Sequence, residues 1–475
     1  MNNFKSKIKH ATLWSLISQI LYILIILSTN IILTKYISPE EFGQISIIMF
    51  FVIISSVLVE GGFGGALVRK KVIGHYDYST VFVFSFIFSI ILCLLLFSFS
   101  NVIANYYDNP ELSKFIKTSS IILIVNSLQT VSSAKLIREM KFKERGISRL
   151  LSVFIASIAC VLLAYNGYGV WSFIVMQISY SVLFALLLFA YAGRIGSVYF
   201  SKSSFKKLYS FGVNTSIASL LNSVFDNIYQ VIIGKYFGMN QTGLFYQSKR
   251  LQDVPNNLIN MLLQGVFFST LSKFQDNIPK MHYLYLKVTK HVSVFMGLII
   301  IFVFIFADKL LNILYGDEWV EGAYFLQMLS IISFFYIQEL VVRALLKTLN
   351  KTKQILYFDL VKKGIQIVFI MIALKLNNLN YLIWGYLFTS VISYINYLIL
   401  SDKLIGENKR LSEITTIFIV ASVIAFVLFF IKTNYSSNSI LLFVIFSVLI
   451  IVYFYCLSVL RVFNFKSEIK IYISK

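Results

Sequence analysis

Long uncharged apolar runs, repeated along the whole chain, limit most strongly what this sequence can fold into. Val81 to Phe97 and Leu441 to Tyr455 contain no charged residue. A mostly apolar stretch of about 18 residues is long enough to cross the hydrocarbon core of a bilayer. Inside lipid the backbone must satisfy its own hydrogen bonds, which leaves helices and closed barrels. Barrel strands alternate apolar and polar residues. The continuous runs here specify helices instead, and the fold class is an all-α integral membrane protein.

About fourteen transmembrane helices are expected, at 13–33, 42–64, 79–100, 113–133, 149–165, 170–192, 211–234, 242–268, 289–307, 323–342, 355–374, 380–400, 413–431 and 439–460. Of the 475 residues 58% are hydrophobic and only 13% charged, against about 25% charged in soluble domains. The net charge of +21 would suggest nucleic acid in a soluble protein. Here the basic residues sit in short connections between apolar runs, where they orient helices, and nucleic-acid binding is set aside. With the N-terminus inside, 33 of the 42 Lys and Arg fall on the cytoplasmic side and 7 outside. That asymmetry predicts both termini in the cytoplasm. Lys5, Lys7 and Lys9 precede a run that continues to Leu33 without a small-residue cleavage site, so a retained first helix is expected. Connections are short, with no inserted soluble domain. Cys93, Cys160 and Cys456 lie inside apolar runs without metal or disulfide spacing. His10, His75, His282 and His291 are scattered and are expected in solvated loops or helix ends. Neither a cofactor, a metal nor a catalytic residue is expected.

Offsetting the sequence by 200 residues lays Thr34–Gly43 over Gly234–Gly243, with Lys, Tyr and Gly recurring in register at 35/235, 36/236 and 43/243. Each segment joins the first two helices of a half. Spans one to six then correspond to spans seven to twelve. The expected organisation is a six-helix lobe over 1–200, a second over 201–402, and two additional helices with a cytoplasmic tail over 403–475. An even number of helices per half keeps the repeats parallel, the arrangement in which a transporter site lies between two bundles.

Polar stripes support a cavity. In span seven Thr215, Ser219, Asn222, Asp226 and Gln230 share one helical face. Under the same offset span one presents Ser15, Gln19, Tyr22, Ile26 and Asn30. Polar side chains facing lipid are costly, so both stripes should face the interior or water. Lys249, Arg250 and Asp253 would precede span eight by hydropathy alone, whereas the repeat draws them into the helix. Asp226 and Arg250 (or Lys249) then lie at matched depth, able to pair and to leave one cation for an anionic ligand. Substrate candidates are therefore Lys249, Arg250, Asp226, Asn30, Gln230, Asn222 and Gln19. Candidates for ion coupling are Asp226, Asp253 and Glu339. Glu339 and Arg343 form an i,i+4 pair expected to be a structural salt bridge. Asp359, Lys362 and Lys363 read as orientation signals at a helix entrance. Glu60, followed by Gly61, Gly62, Gly64 and Gly65, closes span two. It lacks the strand and spacing of a dinucleotide site.

Ser38-Pro39-Glu40-Glu41-Phe42-Gly43, the segment from Gly62 to Lys71, Tyr106-Tyr107-Asp108-Asn109-Pro110 and Gly169-Val170-Trp171 all resemble one family. So do Asp226, Ile233-Gly234, Gly238, Gly243, Tyr246 and Pro255. The family is that of Wzx-type polysaccharide flippases, in the lipopolysaccharide and colanic-acid exporter branch of the multidrug/oligosaccharidyl-lipid/polysaccharide exporter superfamily. The similarity runs from about residue 10 to 400. It implies that the protein is not an enzyme, and that it moves an undecaprenyl-pyrophosphate-linked oligosaccharide across the bacterial inner membrane. Alternating access between two lobes would serve surface polysaccharide synthesis (O-antigen, capsule or exopolysaccharide). Implied partners are the lipid-linked oligosaccharide, membrane lipid, a proton or sodium gradient and other polysaccharide-assembly proteins. A drug/cation antiporter of the same superfamily is the alternative. Such transporters typically use an acid in the first lobe, and span one has none. A membrane sugar polymerase or glycosyltransferase would need a long external loop or clustered catalytic acids, and neither is present.

Overall fold

A computed structural model describes residues 2–193, 198–405, 410–435, 439–460 and 462–463. Of Lys5, Lys7, Lys9 and His10 only the backbone is described, and the C-terminal tail from 464 lies outside the described residues. The described residues are helical, with no strand among them. They divide into two compact units, Met1–Tyr246 and Gln247–Lys475.

The first unit contains α1 (Asn2–Leu33), α2 (Pro39–Glu60), α3 (Phe63–Arg69), α4 (His75–Tyr106), α5 (Glu111–Ser119) and α6 (Ile121–Arg138). It continues with α7 (Phe142–Tyr165), α8 (Val170–Ala192), α9 (Lys202–Tyr236) and the start of α10 (Met239–Leu262). Helix α7 packs on α1 and α8, α6 on α4 and α8, and α9 on α2 and α3. The second unit holds the rest of α10, a π-helical turn Leu263–Phe267, α11 (Phe268–Lys273), α12 (Ile278–Tyr315), a 3-10 turn Asp317–Gly322 and α13 (Ala323–Thr348). It ends with α14 (Thr352–Lys375), α15 (Leu379–Ile405), α16 (Arg410–Tyr435) and α17 (Ser439–Val459). There α12 packs on α13 and α16, and α15 on α13 and α14.

Each of the fourteen expected spans falls on helix, the second broken at Gly61 and Gly62 between α2 and α3, the fourth at Ser120 between α5 and α6, and the eighth running from α10 through the π-helical turn to the start of α11. Among the described residues nine spans are long and apolar enough to cross a membrane by length and composition. The chain is a multi-pass membrane protein. Helices α9, α10 and α14 are not among the nine. They carry Asp226, then Lys249, Arg250 and Asp253, then Asp359, Lys362 and Lys363. As the repeat predicted, α10 begins at Met239 and contains Lys249, Arg250, Asp253 and Pro255. One histidine departs from expectation. His291 lies in the middle of α12, half-buried, with its ring edge-on to Phe463 and Nδ1 2.7 Å from the Lys287 carbonyl. A carbonyl can only accept, so Nδ1 carries the proton.

The repeat is visible in backbone detail. After α6, the N–H groups of Glu139, Met140 and Lys141 donate to the carbonyls of Lys135, Ile137 and Leu136. After α13, Leu349, Asn350 and Lys351 donate to Leu345, Lys347 and Leu346 in the same pattern. The left-handed residue in each cap is Met140 (φ 58°) or Asn350 (φ 57°). This is the usual way of satisfying the last carbonyls of a helix. Gly167 and Asn377 repeat the motif after α7 and α14. These pairs are 210 residues apart, whereas α2 and α10 start 200 apart. The second half has gained ten residues between α10 and α13, where it carries the π turn, α11 and a longer α12.

Several of the segments resembling a family meet at one corner, where α1 passes into α2, while the segment from Gly62 to Lys71 lies at the other end of α2. Ser38 caps α2: its Oγ accepts from the Glu41 N–H at 3.3 Å, and its own N–H donates to Glu41 Oε2 at 2.9 Å. A β-carbon on Gly169 would overlap the Glu41 carboxylate. One on Gly43 would overlap the Met239 carbonyl, and one on Gly243 the Pro39 carbonyl. Residues 39 and 239 thus exchange roles with 43 and 243, a reciprocal contact about a local two-fold. Beside it the Tyr107 hydroxyl donates to the Val231 carbonyl at 3.3 Å and Lys235 pairs with Asp108 at 2.9 Å.

Candidate functional site

Within the first unit, α2, α3, α6, α7 and α8 enclose a cavity of about 540 Å³. It forms because Gly61 (φ 54°) and Gly62 (φ 61°) are consecutive left-handed residues. That conformation is cheap for glycine and costly for other residues. It ends α2 at Glu60 and turns α3 away, leaving Glu60 exposed in the cavity wall. Opposite, α6 presents Asn126, Gln129 and Ser133 on one face. Asn126 Nδ2 donates to Ser56 Oγ at 3.3 Å, and Gln129 Nε2 donates to Asn126 Oδ1 at 3.2 Å and to the Ser181 carbonyl at 2.9 Å.

Helix α7 supplies two cations. Arg145 lines the cavity and donates through Nε to Ser133 Oγ at 3.0 Å. Arg149 lies one turn further along, about 6 Å away. Its Nη1 donates to Gln19 Oε1 at 2.6 Å, and its guanidinium sits 3.8 Å from the centre of the Tyr22 ring. A guanidinium over an aromatic face is attracted by the ring quadrupole. Among the described residues neither Arg145 nor Arg149 has a carboxylate within 4.0 Å. Two half-buried cations with neutral partners can accept an anion without first breaking an ion pair.

The second unit treats its charges differently. Glu339 is buried and is approached by Arg343, by Lys362 at 2.9 Å and by Ser393 Oγ at 2.9 Å. Arg343 also pairs with Asp359, whose Oδ1 accepts from the Tyr397 hydroxyl at 3.1 Å. The i,i+4 pair read from the sequence is present. Asp359 and Lys362, expected as orientation signals at a helix entrance, instead complete this network. Helices α13, α14 and α15 bring them together.

The other sequence candidates are distributed. Gln19 belongs to the Arg149 cluster. Asn30 is buried and donates to the Ile26 carbonyl at 2.8 Å. Gln230 is buried and donates to the Ser46 carbonyl at 3.3 Å. Asn222 and Asp226 are exposed on α9 in the first unit, while Lys249, Arg250 and Asp253 are half-buried on α10 in the second. Arg145, Arg149, Asn126 and Gln129 were not singled out. The signal for the arginines was their four-residue spacing, which puts both on one face once α7 is seen to begin at Phe142.

Comparison with known proteins gives this geometry a context. The fold is similar to that of the lipid II flippase MurJ in an inward closed conformation (TM-score 0.75, 16% identity, 94% of this chain and 98% of that one). It is also similar to an inward-facing multidrug resistance MATE family transporter (TM-score 0.60, 14% identity, 82% and 96%). At such identities the likeness speaks for the fold alone. In sequence the chain is 20% identical over 401 residues to the lipopolysaccharide biosynthesis protein WzxC of Escherichia coli K12, covering 84% of this chain and 81% of that one. It is 21% identical over 355 residues to the teichuronic acid biosynthesis protein TuaB of Bacillus subtilis, covering 73% and 72%. Residues 32–324, more than half of the chain, match the family model described as polysaccharide biosynthesis protein, and the chain belongs to that family.

Proposed function

We propose that this protein is a flippase that carries an undecaprenyl-pyrophosphate-linked oligosaccharide from the cytoplasmic to the outer leaflet of a bacterial inner membrane. It does so by alternating access, with both termini in the cytoplasm, and serves surface polysaccharide synthesis rather than catalysing a reaction. The observation that carries this reading is the Arg145–Arg149 pair. A pyrophosphate cannot cross hydrocarbon with its charge unbalanced, because an ion in low dielectric costs several kcal/mol or more. Two guanidiniums one turn apart offer forked donors matched to phosphate oxygens. Lys249 and Arg250 on α10 supply further cations, and Asn30, Asn222 and Gln230 further polar contacts. Asp226 and Asp253 are the candidates for coupling to a proton or sodium gradient. Glu339, held by two cations, is the least suited of the three acids.

Deletion of the gene tests the reading. Cytoplasm-facing lipid-linked oligosaccharide should accumulate, the wild-type gene should clear it, and Arg145→Gln with Arg149→Gln should fail to clear it at equal expression. Unchanged lipid intermediates with altered drug tolerance would overturn the reading in favour of a drug/cation antiporter.

A further inference from the structure

The cavity beside Arg145 is not lined by cations alone. Glu60 shares it, and a carboxylate repels an anion. Arg69 adds a second guanidinium, the rest of its polar wall is amide and hydroxyl, from Asn126, Gln129, Thr130 and Ser133, and the Phe184 side chain forms an apolar wall. Amides and hydroxyls both donate and accept, a carboxylate accepts and a guanidinium donates. Sugar rings demand that mixture, since each hydroxyl both donates and accepts and the C–H faces seek apolar surface.

The hydrogen bonds leave room for such a guest. Gln129 spends its Nε2 on Asn126 and Ser181, and Arg145 spends its Nε on Ser133. Among the described residues no hydrogen-bond partner meets Gln129 Oε1 or the Nη1 and Nη2 groups of Arg145. The volume of about 540 Å³ lies in the range of small-molecule sites, about 300–1,000 Å³. The arrangement is also particular to this half. At positions 210 residues on, Gln129 and Ser133 correspond to Glu339 and Arg343, which satisfy each other.

We propose that this cavity is a saccharide subsite. Gln129, Asn126 and Glu60 read the hydroxyls of the pyrophosphate-proximal sugar, Phe184 meets its apolar face, and Arg145 and Arg149 hold the pyrophosphate alongside. Gln129 and Asn126 thereby determine specificity, separately from the charge-binding arginines. The proposal rests on the flippase reading, and the two can fail independently.

The test uses the full chain in lipid nanodiscs and measures binding of undecaprenyl pyrophosphate. It then measures the same lipid carrying glucose, galactose, N-acetylglucosamine or fucose. The bare lipid should bind, and at least one sugar should tighten binding about tenfold, as expected for one or two added hydrogen bonds. Gln129→Leu should erase that increment and leave bare-lipid affinity intact. Gly64→Ala gives a second route. Its β-carbon would stand 3.7 Å from Thr130, an ordinary contact, and would take space from the sugar. It too should lose the increment. Failure of the bare lipid to bind would sink the flippase reading. Binding of the bare lipid with no increment from any sugar, or an increment that survives both variants, would overturn the subsite alone.

Discussion

Helices α6 and α7 of the first half and α13 and α14 of the second descend from the same repeat, yet they spend their polar residues in opposite ways. Gln129, Ser133 and Arg149 in one correspond to Glu339, Arg343 and Asp359 in the other. The first set surrounds and adjoins an open cavity, where Arg145 and Arg149 hydrogen-bond to the neutral side chains of Ser133 and Gln19. The second set closes on itself, two carboxylates against Arg343 and Lys362, with Ser393 and Tyr397 satisfying remaining oxygens. Neutralised charges of this kind hold three helices together and have little left to offer a ligand. On the proposed reading, matched positions of the two halves serve binding in one and structure in the other.

That contrast can be attacked directly. The largest effect is expected from Arg343→Met, which removes the cation shared by Glu339 and Asp359. Asp359 is left without its cation and Glu339 with Lys362 alone; breaking a buried pair outright costs about 3–5 kcal/mol, which bounds the loss, so the purified protein should unfold at markedly lower temperature. An unchanged melting temperature would mean that the network is no structural clasp. Next comes transplantation, Gln129→Glu with Ser133→Arg. The new pair has the favourable i,i+4 order on α6 and should fill the cavity. Lipid-linked oligosaccharide clearance should fall at least about tenfold, the cost of one lost charge-assisted hydrogen bond, while folded yield is kept. Clearance at the wild-type rate would erase the distinction between the halves. The smallest effect concerns the glycine contact. Gly243→Ala should cost about 1–3 kcal/mol by forcing a methyl group against backbone. Gly364→Ala, with open space around its β-carbon, should be neutral or stabilise by up to about 1 kcal/mol. Equal melting temperatures for the two would sink the idea of a close two-fold contact.

Much of the fold could be read before any coordinates. Apolar runs located fourteen helices because lipid tolerates little else. The 200-residue repeat correctly drew Lys249 and Arg250 into α10, where hydropathy alone would have left them in a loop. Glu339 and Arg343 were legible because they are four apart on one helix. The rest depends on contacts that sequence spacing does not encode. Gln19 meets Arg149 across 130 residues, and Asp359 reaches Arg343 from a separate helix. The cavity needed the paired left-handed glycines after Glu60, whose effect on the path of α3 no periodicity reveals. Helix α7 begins seven residues ahead of its apolar run, since charged residues are as compatible with a helix end as with a loop, and this concealed both arginines.

The packing of α9 on α2 and α3 bears on how the chain is made. The first compact unit runs to Tyr246, well past the sixth span. As the ribosome delivers the chain, that unit stands incomplete until α9 and the first turns of α10 have been inserted. At about 5–20 residues per second the wait is a few seconds. During it Gly43 of α2 lacks the Met239 backbone on which it packs, because that residue is not yet synthesised. Biogenesis thus makes the early half depend on the late one.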